Sequence, residues 1–245
     1  MVILNSLLFN SCENLSFGLA TKIDDRTTSP FNFNLSLTVG DDNKKVDENR
    51  KRFFRELGLE FNVATQHQIH SDKIIFVDHP GDQGESDAMI TDKPDLGLAI
   101  STADCVPVFL YEPKRKIIAG VHSGWRGTFL QILEKTIIKL EEEFHANPKE
   151  IKCYIGPSIS QKNYEVGGDV AKYFDNRYLL PKGAKYLLDV AKINYDILRK
   201  FEVKKENIQL SSLCSFEWRT LLHSFRRDGN LSGRSLGVIA MKGNS

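Results

Sequence analysis

The segment that decides the fold is LGLAISTADCVPVFLYEPKRKIIAGVH, residues 96–122. It holds three apolar runs separated by short polar stretches, which predict strands at 96–102, 106–111 and 116–122. Because these strands follow one another without an intervening helix, the segment favours an α+β (mixed α/β) layered fold over an all-parallel, doubly wound sheet.

The segment that follows predicts the clearest helix of the chain, at 128–144. Its apolar side chains fall on one stripe, and its charged side chains lie off that stripe. The stripe consists of Phe129, Ile132, Leu133, Thr136, Ile137, Leu140 and Phe144. We expect the helix to begin after Gly127, with Thr128 as its N-cap.

Similar patterns predict the remaining elements. They are strands at 2–9, 15–21, 31–39, 61–66, 73–78, 151–156 and 236–242, and helices at 45–57, 167–174 and 189–201. The strand at 31–39 rests on alternation of apolar and polar residues with a period of two, the pattern of a half-buried strand. No repeat or linker-like stretch divides the chain, so we expect a single domain over residues 1–245.

The composition is that of a globular protein and excludes several functional classes. Hydrophobic residues make up 41% and charged residues 27% of the chain, which excludes wholesale disorder. With 33 Lys and Arg against 32 Asp and Glu, the chain lacks the basic excess that is common in nucleic-acid-binding proteins. No apolar run approaches the roughly 20 residues of a membrane-spanning helix. We therefore expect small-molecule ligands, with no nucleic acid and no membrane as partners.

The cysteines and the N-terminus indicate a reducing compartment. The four cysteines, Cys12, Cys105, Cys153 and Cys214, are too sparse for a disulfide scaffold. The apolar start, MVILNSLLFNSCENLSF, has no basic region and is interrupted by Asn5 and Ser6. We interpret it as a first strand rather than a signal peptide, and we expect the protein to be cytoplasmic.

Three segments combine strand ends with side chains that can bind a metal: QIHSDK (68–73), TADCVP (102–107) and VHSGWRG (121–127). Each contributes one residue, His70, Cys105 or His122. Two imidazoles and a thiolate suit zinc and leave its fourth position open. The spacing matches no local metal motif, so two other interpretations stay open. Cys105 could be a nucleophile activated by a histidine without metal, or a buried apolar thiol.

Other side chains near these motifs could carry protons or bind an anion. Asp104 could carry a proton or support a ligand, or it could simply form a turn. Arg126 lies close to the expected helix start at 128, so together they could bind phosphate; Arg126 could instead pair with an acidic neighbour while Trp125 packs. In FRRDGNLSGR (225–234), the three arginines Arg226, Arg227 and Arg234 suit a phosphate or carboxylate, and Arg227 or Arg234 could assist Arg126, unless this run is a solvated basic turn.

The ordered motifs resemble those of the laccase-domain family, also called multicopper polyphenol oxidoreductase or peptidoglycan editing factor. They are QIHSDK (68–73), STADCVPVFLYEP (101–113), GVHSGWRGT (120–128), YIGPSIS (154–160), YEVG (164–167) and SFRRDGNLSGR (224–234), and FNLSLTVGDD (33–42) followed by DENR (47–50) adds to them. The resemblance extends from about Ser16 to Met241. The chain departs from the family pattern at Lys22, where an Arg followed by two glycines is usual, and at Ser123, where many members have Ala.

The resemblance implies a four-layer α-β-β-α sandwich and a zinc site formed by His70, Cys105 and His122. It implies phosphorolysis of adenosine, inosine, guanosine and methylthioadenosine, together with adenosine deamination. Asp104 and Arg126 are then the expected catalytic residues, and Arg126, Arg227, Arg234 and Asn34 are expected to bind substrate or phosphate. Older family names imply copper and phenol oxidation, or editing of cell-wall precursors, and we keep both as alternatives.

Overall fold

The computed structural model describes residues 1–243 and contains fifteen strands and seven helices within that range. The strands are β1 (Ile3–Leu4), β2 (Leu15–Ala20), β3 (Val63–His67), β4 (Ile74–Phe76), β5 (Gly81–Glu85), β6 (Ala88–Thr91), β7 (Gly97–Thr102), β8 (Val106–Glu112), β9 (Ile117–Ser123), β10 (Lys152–Ile155), β11 (Glu165–Val166), β12 (Leu179–Lys182), β13 (Lys185–Leu188), β14 (Ile208–Leu210) and β15 (Ser235–Met241). The helices are α1 (Leu7–Asn10), α2 (Asn43–Glu56), α3 (Trp125–Phe129), α4 (Ile132–Phe144), α5 (Gly168–Ala171), α6 (Val190–Lys200) and α7 (Phe225–Asp228).

Two six-stranded mixed sheets form the centre of the fold. The first has the strand order β1-β2-β15-β7-β3-β5, and the second has the order β14-β10-β8-β9-β6-β4. A small third sheet has the order β11-β13-β12. The three strands predicted in segment 96–122 are all present: β8 and β9 form an antiparallel hairpin within the second sheet, whereas β7 belongs to the first sheet. The predicted mixed α/β fold is therefore confirmed.

The layers follow from the alternation of side chains along the strands. In β8, Phe109 and Tyr111 point into the core between the two sheets, while Val108 and Leu110 face the opposite side. That opposite face packs against α4 and α6, and α2 covers the outer face of the first sheet. The layer order is α2, first sheet, second sheet, then α4 with α6, which confirms the expected α-β-β-α sandwich.

The strand predicted at 31–39 is wrong. Phe33 and Leu35 are fully buried, as the alternation implies, but this segment pairs with no strand in the part of the chain that the structure describes. Isolated contacts satisfy its backbone instead: the amides of Phe33 and Leu35 donate to the carbonyls of Lys22 and Arg234. The Asn34 side chain accepts from the Ser36 amide at 3.0 Å and donates to the Ser36 carbonyl at 2.9 Å. Asn and Ser side chains compete with sheet hydrogen bonds in this way.

Two other predictions need correction. The predicted strand 2–9 is β1 followed by α1, because Ser6 caps that helix and its hydroxyl accepts from the Phe9 amide at 3.2 Å. The predicted helix 128–144 consists of α3 and α4, separated at Gln131, whose φ is 64°. Thr128 is not an N-cap but lies inside α3, where its hydroxyl donates to the Gly124 carbonyl at 2.9 Å. The expected helix start at 128 is therefore wrong.

The remaining predicted elements are found with shifted ends, and 167–174 is reduced to the four residues of α5. The short strands β5, β6 and β11–β14 and helix α7 were not predicted. Among residues 1–243, none of the helices combines the length and the apolar character that crossing a bilayer requires. All four cysteines are free.

The close approach of the two sheets generates a stability prediction at Gly237. A Cβ atom at this position of β15 would lie 2.4 Å from Cζ of the buried Phe109 ring in the opposite sheet. We expect Gly237→Ala to lower the free energy of unfolding by about 1–3 kcal/mol, because the ring has no free volume to move into. Urea unfolding measures this effect. In a Phe109→Leu background the same substitution should be less destabilising, and an equal effect in both backgrounds would contradict the proposed clash.

Candidate metal centre

The three sequence motifs converge on one site where strands of both sheets end. His70 lies in the loop after β3, Cys105 directly precedes β8, and His122 belongs to β9. The pairing of Pro107 in β8 with His122 in β9 brings Cys105 to the end of this hairpin. One donor atom from each of the three side chains lies within 4.8 Å of the others, and Cys105 Sγ is 3.8 Å from His70 Nε2.

A buried carboxylate that the sequence analysis missed holds two of these ligands. Asp87 is fully buried and accepts a hydrogen bond from His122 Nδ1 at 2.8 Å. It also accepts from the backbone amide of His70 at 3.0 Å and from the amide and hydroxyl of Ser71 at 2.7 and 2.8 Å. Because Nδ1 of His122 donates its hydrogen bond to Asp87, Nε2 is the ring nitrogen that can bind a ligand. Histidines that bind metals are commonly oriented by carboxylates in this way.

The same contacts determine the protonation of the site. Burial raises the pKa of the Cys105 thiol, but the charge of His122 and hydrogen bonds from His122 and His70 outweigh it, and they lower the pKa to about 6. Burial lowers the pKa of His122, but Cys105 and Asp87 outweigh it, and they raise the pKa to about 9. The thiol is thus largely ionised at neutral pH, and thiolate is the form that binds metals.

The surrounding backbone leaves the room that a metal ion with these three ligands needs. Gly124 follows β9, and a Cβ atom there would lie 2.9 Å from Cys105 Sγ and 3.1 Å from Cδ2 of His70. The φ of Gly124 is −72°, which any residue can adopt, so the backbone does not require glycine here. The close approach of Cys105 and His70 does. Donor atoms around tetrahedral zinc are separated by roughly 3–4 Å, given bond lengths of about 2.0–2.3 Å. The donor set and this cradle therefore fit zinc.

The centre opens into a cavity of about 640 Å³, which is within the usual range of ligand pockets. Its walls come from residues 36–38, from α2, from β3 and β7, and from α7 and the segment that follows it. The side chains that matter for ligand chemistry are His67, Asp82, Asp104, Trp125, Tyr164, Phe225 and three arginines, Arg50, Arg226 and Arg234. The cavity thus combines a metal-binding end with cationic and aromatic walls.

Asp104 lines this cavity directly before Cys105 and is only 9% exposed. One carboxylate oxygen accepts from the Ser215 hydroxyl and the other from the Arg226 backbone amide, each at 2.6 Å. Its φ of +93° is unusual for a residue with a side chain. Asp104 is therefore a buried carboxylate that connects the segment carrying Cys105 to helix α7, which carries Arg226.

The four residues expected to bind substrate or phosphate have different positions. Arg234 lines the cavity. Arg126 is exposed, its guanidinium lies 5.2 Å from the Trp125 ring, and it is not part of the cavity lining. Asn34 is fully buried, and its side chain is bound to Ser36, Asp41 and the Arg234 amide. It can therefore orient Arg234 but does not line the cavity.

Arg227 also lies outside the cavity lining. Its five N–H groups are all engaged within the protein: they donate to the carbonyls of Ser215, Phe216 and Leu222 and to both carboxylate oxygens of Asp228. The geometry therefore gives Arg227 a structural role. The neighbouring Arg226, which the sequence analysis did not select, lines the cavity instead. The only signal for it was the adjacent FRRD pair, which does not say which arginine faces a ligand.

Comparisons with known proteins show which family and which solved structures this chain resembles. Residues 17–242 match the family described as multi-copper polyphenol oxidoreductase laccase. A purine nucleoside phosphorylase of Clostridium acetobutylicum is 34% identical over 217 residues, covering 86% of this chain and 87% of that protein. The crystal structure of hypothetical protein YfiH from Bacillus licheniformis has a TM-score of 0.89 and 30% identity, and covers 93% of each chain. YlmD from Geobacillus stearothermophilus has a TM-score of 0.89 and 27% identity, covering 97% of this chain and 94% of that chain.

The cradle at Gly124 predicts a specific loss of metal binding. We expect Gly124→Ala to weaken zinc binding by roughly tenfold or more, because the added methyl group displaces the Cys105 and His70 side chains. Competition with a chelator and zinc analysis of purified protein measure this. Gly168→Ala is the matched control, since a Cβ atom there meets nothing within 4 Å, and His70→Ala marks complete loss of the site. Wild-type zinc affinity in Gly124→Ala would contradict the proposed coordination.

The lowered pKa of Cys105 predicts how metal-free protein reacts with iodoacetamide. Alkylation of Cys105 should be slow below pH 6, where the thiol is protonated, and should rise with a midpoint near pH 6. Peptide mass spectrometry at a series of pH values measures the rate at each cysteine. His122→Gln should move the midpoint up, because the thiolate loses its cationic partner, and added zinc should protect Cys105. A midpoint near 8.5, the value for a free thiol, in the wild-type protein would disprove the pairing.

Proposed function

The chain belongs to the multi-copper polyphenol oxidoreductase laccase family, and from this membership we propose that it is a zinc-dependent purine nucleoside phosphorylase. One observation carries the proposal: His70, Cys105 and His122 line a cavity whose walls also contain arginine side chains. The related protein of Clostridium acetobutylicum carries the name of this activity. Phosphorolysis needs a site for a nucleoside and a site for phosphate in one cavity, and a volume of about 640 Å³ accommodates both.

We propose adenosine, inosine, guanosine and methylthioadenosine as substrates. Trp125, Tyr164 and Phe225 give the cavity flat apolar surfaces, on which a purine ring can stack. The side chains of Ser36, Thr38 and Gln68 also line the cavity and offer hydrogen-bonding groups for a sugar or base. The purine ring shared by these four nucleosides is the part that the aromatic surfaces would recognise.

In phosphorolysis, a phosphate oxygen bonds to C1′ of the ribose while the bond between C1′ and the base nitrogen breaks. Positive charge develops on the sugar, so a negatively charged phosphate held beside it stabilises the transition state. Arg234 lines the cavity and is suited to holding that phosphate. Zinc held by His70, Cys105 and His122 would supply a Lewis acid at the end of the cavity. The exposed position of Arg126 does not favour the catalytic role expected for it.

We also propose hydrolytic deamination of adenosine, with Asp104 as proton carrier. In this reaction water adds to C6 of the purine and ammonia leaves, so one group must take a proton from water and give one to the leaving nitrogen. Asp104 lines the cavity next to Cys105, and the hydrogen bonds from the Ser215 hydroxyl and the Arg226 amide suit an ionised carboxylate. An ionised carboxylate can accept the first proton and then deliver it.

Copper-dependent oxidation of phenols is the second candidate, because the family description names it and because imidazole and thiolate also bind copper. Multicopper oxidation requires several coupled metal centres. Among residues 1–243, one group of His, Cys, Asp or Glu side chains is compact enough to hold a metal ion. This ligand count favours the phosphorylase.

We further propose that the protein acts in the cytoplasm on small molecules, a nucleoside and phosphate, rather than on nucleic acid or a membrane. The four free cysteines support a reducing compartment. The near balance of charge, +1 overall, supports a ligand that is not a polyanion such as nucleic acid.

Product analysis of the zinc-loaded protein tests this proposal. With adenosine and phosphate we expect adenine and ribose 1-phosphate, and with adenosine alone we expect inosine. A copper-loaded sample with a phenolic substrate should yield little oxidised phenol. Cys105→Ala should lose both nucleoside reactions, because the metal site loses its thiolate. Oxidised phenol without nucleoside products would overturn the proposal, and nucleoside products that persist after complete zinc removal would overturn its dependence on zinc.

A further inference from the structure

The geometry points to a phosphate clamp formed by Arg226 and Arg234 beside the metal centre, with Asp104 and Asn34 as positioning residues. This inference rests on the proposed phosphorylase, whose phosphate it locates. The sequence motifs favoured other arginines, and of those only Arg234 lines the cavity. The clamp is inferred from the hydrogen bonds of each arginine, from its stacking on an aromatic ring and from its charged neighbours.

Arg226 is held firmly but keeps part of its guanidinium free. Its backbone amide donates to Asp104, and its Nη1 donates to the Glu165 carbonyl at 2.7 Å. The guanidinium lies 5.1 Å from the centre of the Tyr164 ring, which limits its rotation. Within residues 1–243, Nε and Nη2 donate to no protein acceptor. These two groups form one edge of the guanidinium, the edge that binds two oxygens of a phosphate.

Arg234, which lies between α7 and β15, has a similar arrangement. Its backbone amide donates to Asn34 Oδ1 at 2.9 Å, and its Nη1 donates to the carbonyls of Ser232 and Gly233. The guanidinium lies 5.3 Å from the centre of the Phe225 ring. In the part of the chain that the structure describes, its Nε and Nη2 also have no protein acceptor. Both arginines line the same cavity.

The charged neighbours put the pair at the metal end of the cavity. Burial lowers the pKa of Arg234, and the negative charges that oppose this effect are those of Asp104 and Cys105. Arg226 is anchored beside Asp104 through its backbone amide, which donates to that carboxylate. The third arginine of the cavity, Arg50, has Asp47 and Asp82 as its charged neighbours and therefore belongs to a different part of the wall. A phosphate between Arg226 and Arg234 would lie close to Cys105.

The nearby carboxylate does not prevent anion binding. Both oxygens of Asp104 already accept hydrogen bonds, from the Ser215 hydroxyl and the Arg226 amide. Its charge is therefore partly compensated by groups other than the two guanidinium groups, which remain available to an anion. Two forks around one anion provide up to four charge-assisted hydrogen bonds, the arrangement best suited to a phosphate dianion.

The test measures binding of inorganic phosphate and catalysis separately. Isothermal titration calorimetry of zinc-loaded protein gives the phosphate Kd, and initial rates give the KM for phosphate and for nucleoside. We expect Arg226→Gln and Arg234→Gln to raise the phosphate Kd and KM by roughly ten- to hundredfold, with little change in the KM for nucleoside. Arg226→Lys and Arg234→Lys keep the charge without the fork and should show smaller increases. Adenosine deamination, which uses no phosphate, should fall less in the Arg226 and Arg234 variants than phosphorolysis does.

Arg177→Gln is the matched control, because Arg177 also stacks on a tyrosine, 4.7 Å from the Tyr178 ring, but is not part of the cavity lining. It should bind phosphate as the wild type does. Wild-type phosphate affinity in both the Arg226 and Arg234 variants would overturn the clamp, even if phosphorolysis is observed. Loss of phosphate binding in these variants, in a protein that catalyses no phosphorolysis, would support the clamp and overturn the proposed function. Zinc content and thermal unfolding show whether each variant folds. Where a glutamine variant does not fold, the lysine variant at the same position provides the test.

Discussion

The buried carboxylate of Asp87 is the constraint on which the site depends. A fully buried charge is stable only if hydrogen bonds replace its water shell. Asp87 receives them from His122 and from the chain segment at 69–71, which includes the His70 amide. Two of the candidate metal ligands, His122 in β9 and His70 in the loop after β3, are thus held by one carboxylate. The local backbone adapts to this requirement, since His70 has a φ of 59°.

The packing of the two sheets explains why distant parts of the chain meet at this point. The β8–β9 hairpin carries Cys105 and His122 at its end, and β7 and β3 of the other sheet end in the same region. The core between the sheets is filled by large side chains such as Phe109, so the sheets are held at a constant separation. The cavity lies at these strand ends and over the face of the first sheet that carries Thr65, Ala99 and Leu236, the same face that packs against α2.

The sequence predicts the ligands better than the walls of the cavity. His70, Cys105 and His122 could be identified because each follows or precedes an apolar run, and strand ends are where such runs place functional groups. Arg226 and Arg227 could not be told apart, since both are adjacent in one polar segment. Their fates differ because Arg227 reaches three carbonyls and Asp228, whereas Arg226 meets Tyr164 and Glu165. The carbonyl that Arg226 reaches is 61 residues away in sequence, whereas the acceptors of Arg227 lie within 12 residues, and the order of the two arginines in the sequence indicates neither set of contacts. The alternation at 31–39 failed for a related reason, because it reports burial and not strand pairing.

Asp104 shows how the metal centre and the arginine pair depend on each other. Its backbone has a conformation that few residues with a side chain adopt, and such strain persists only where the surroundings enforce it. Here the surroundings are the hydrogen bonds from Ser215 and Arg226 to its carboxylate and from the Ile159 amide to its carbonyl. The next residue is the candidate metal ligand Cys105. A shift of α7, which carries Arg226, would therefore release the strained residue and move the thiol with it. One short segment thus joins the candidate metal centre to the arginine pair, and any reaction that uses both depends on this connection.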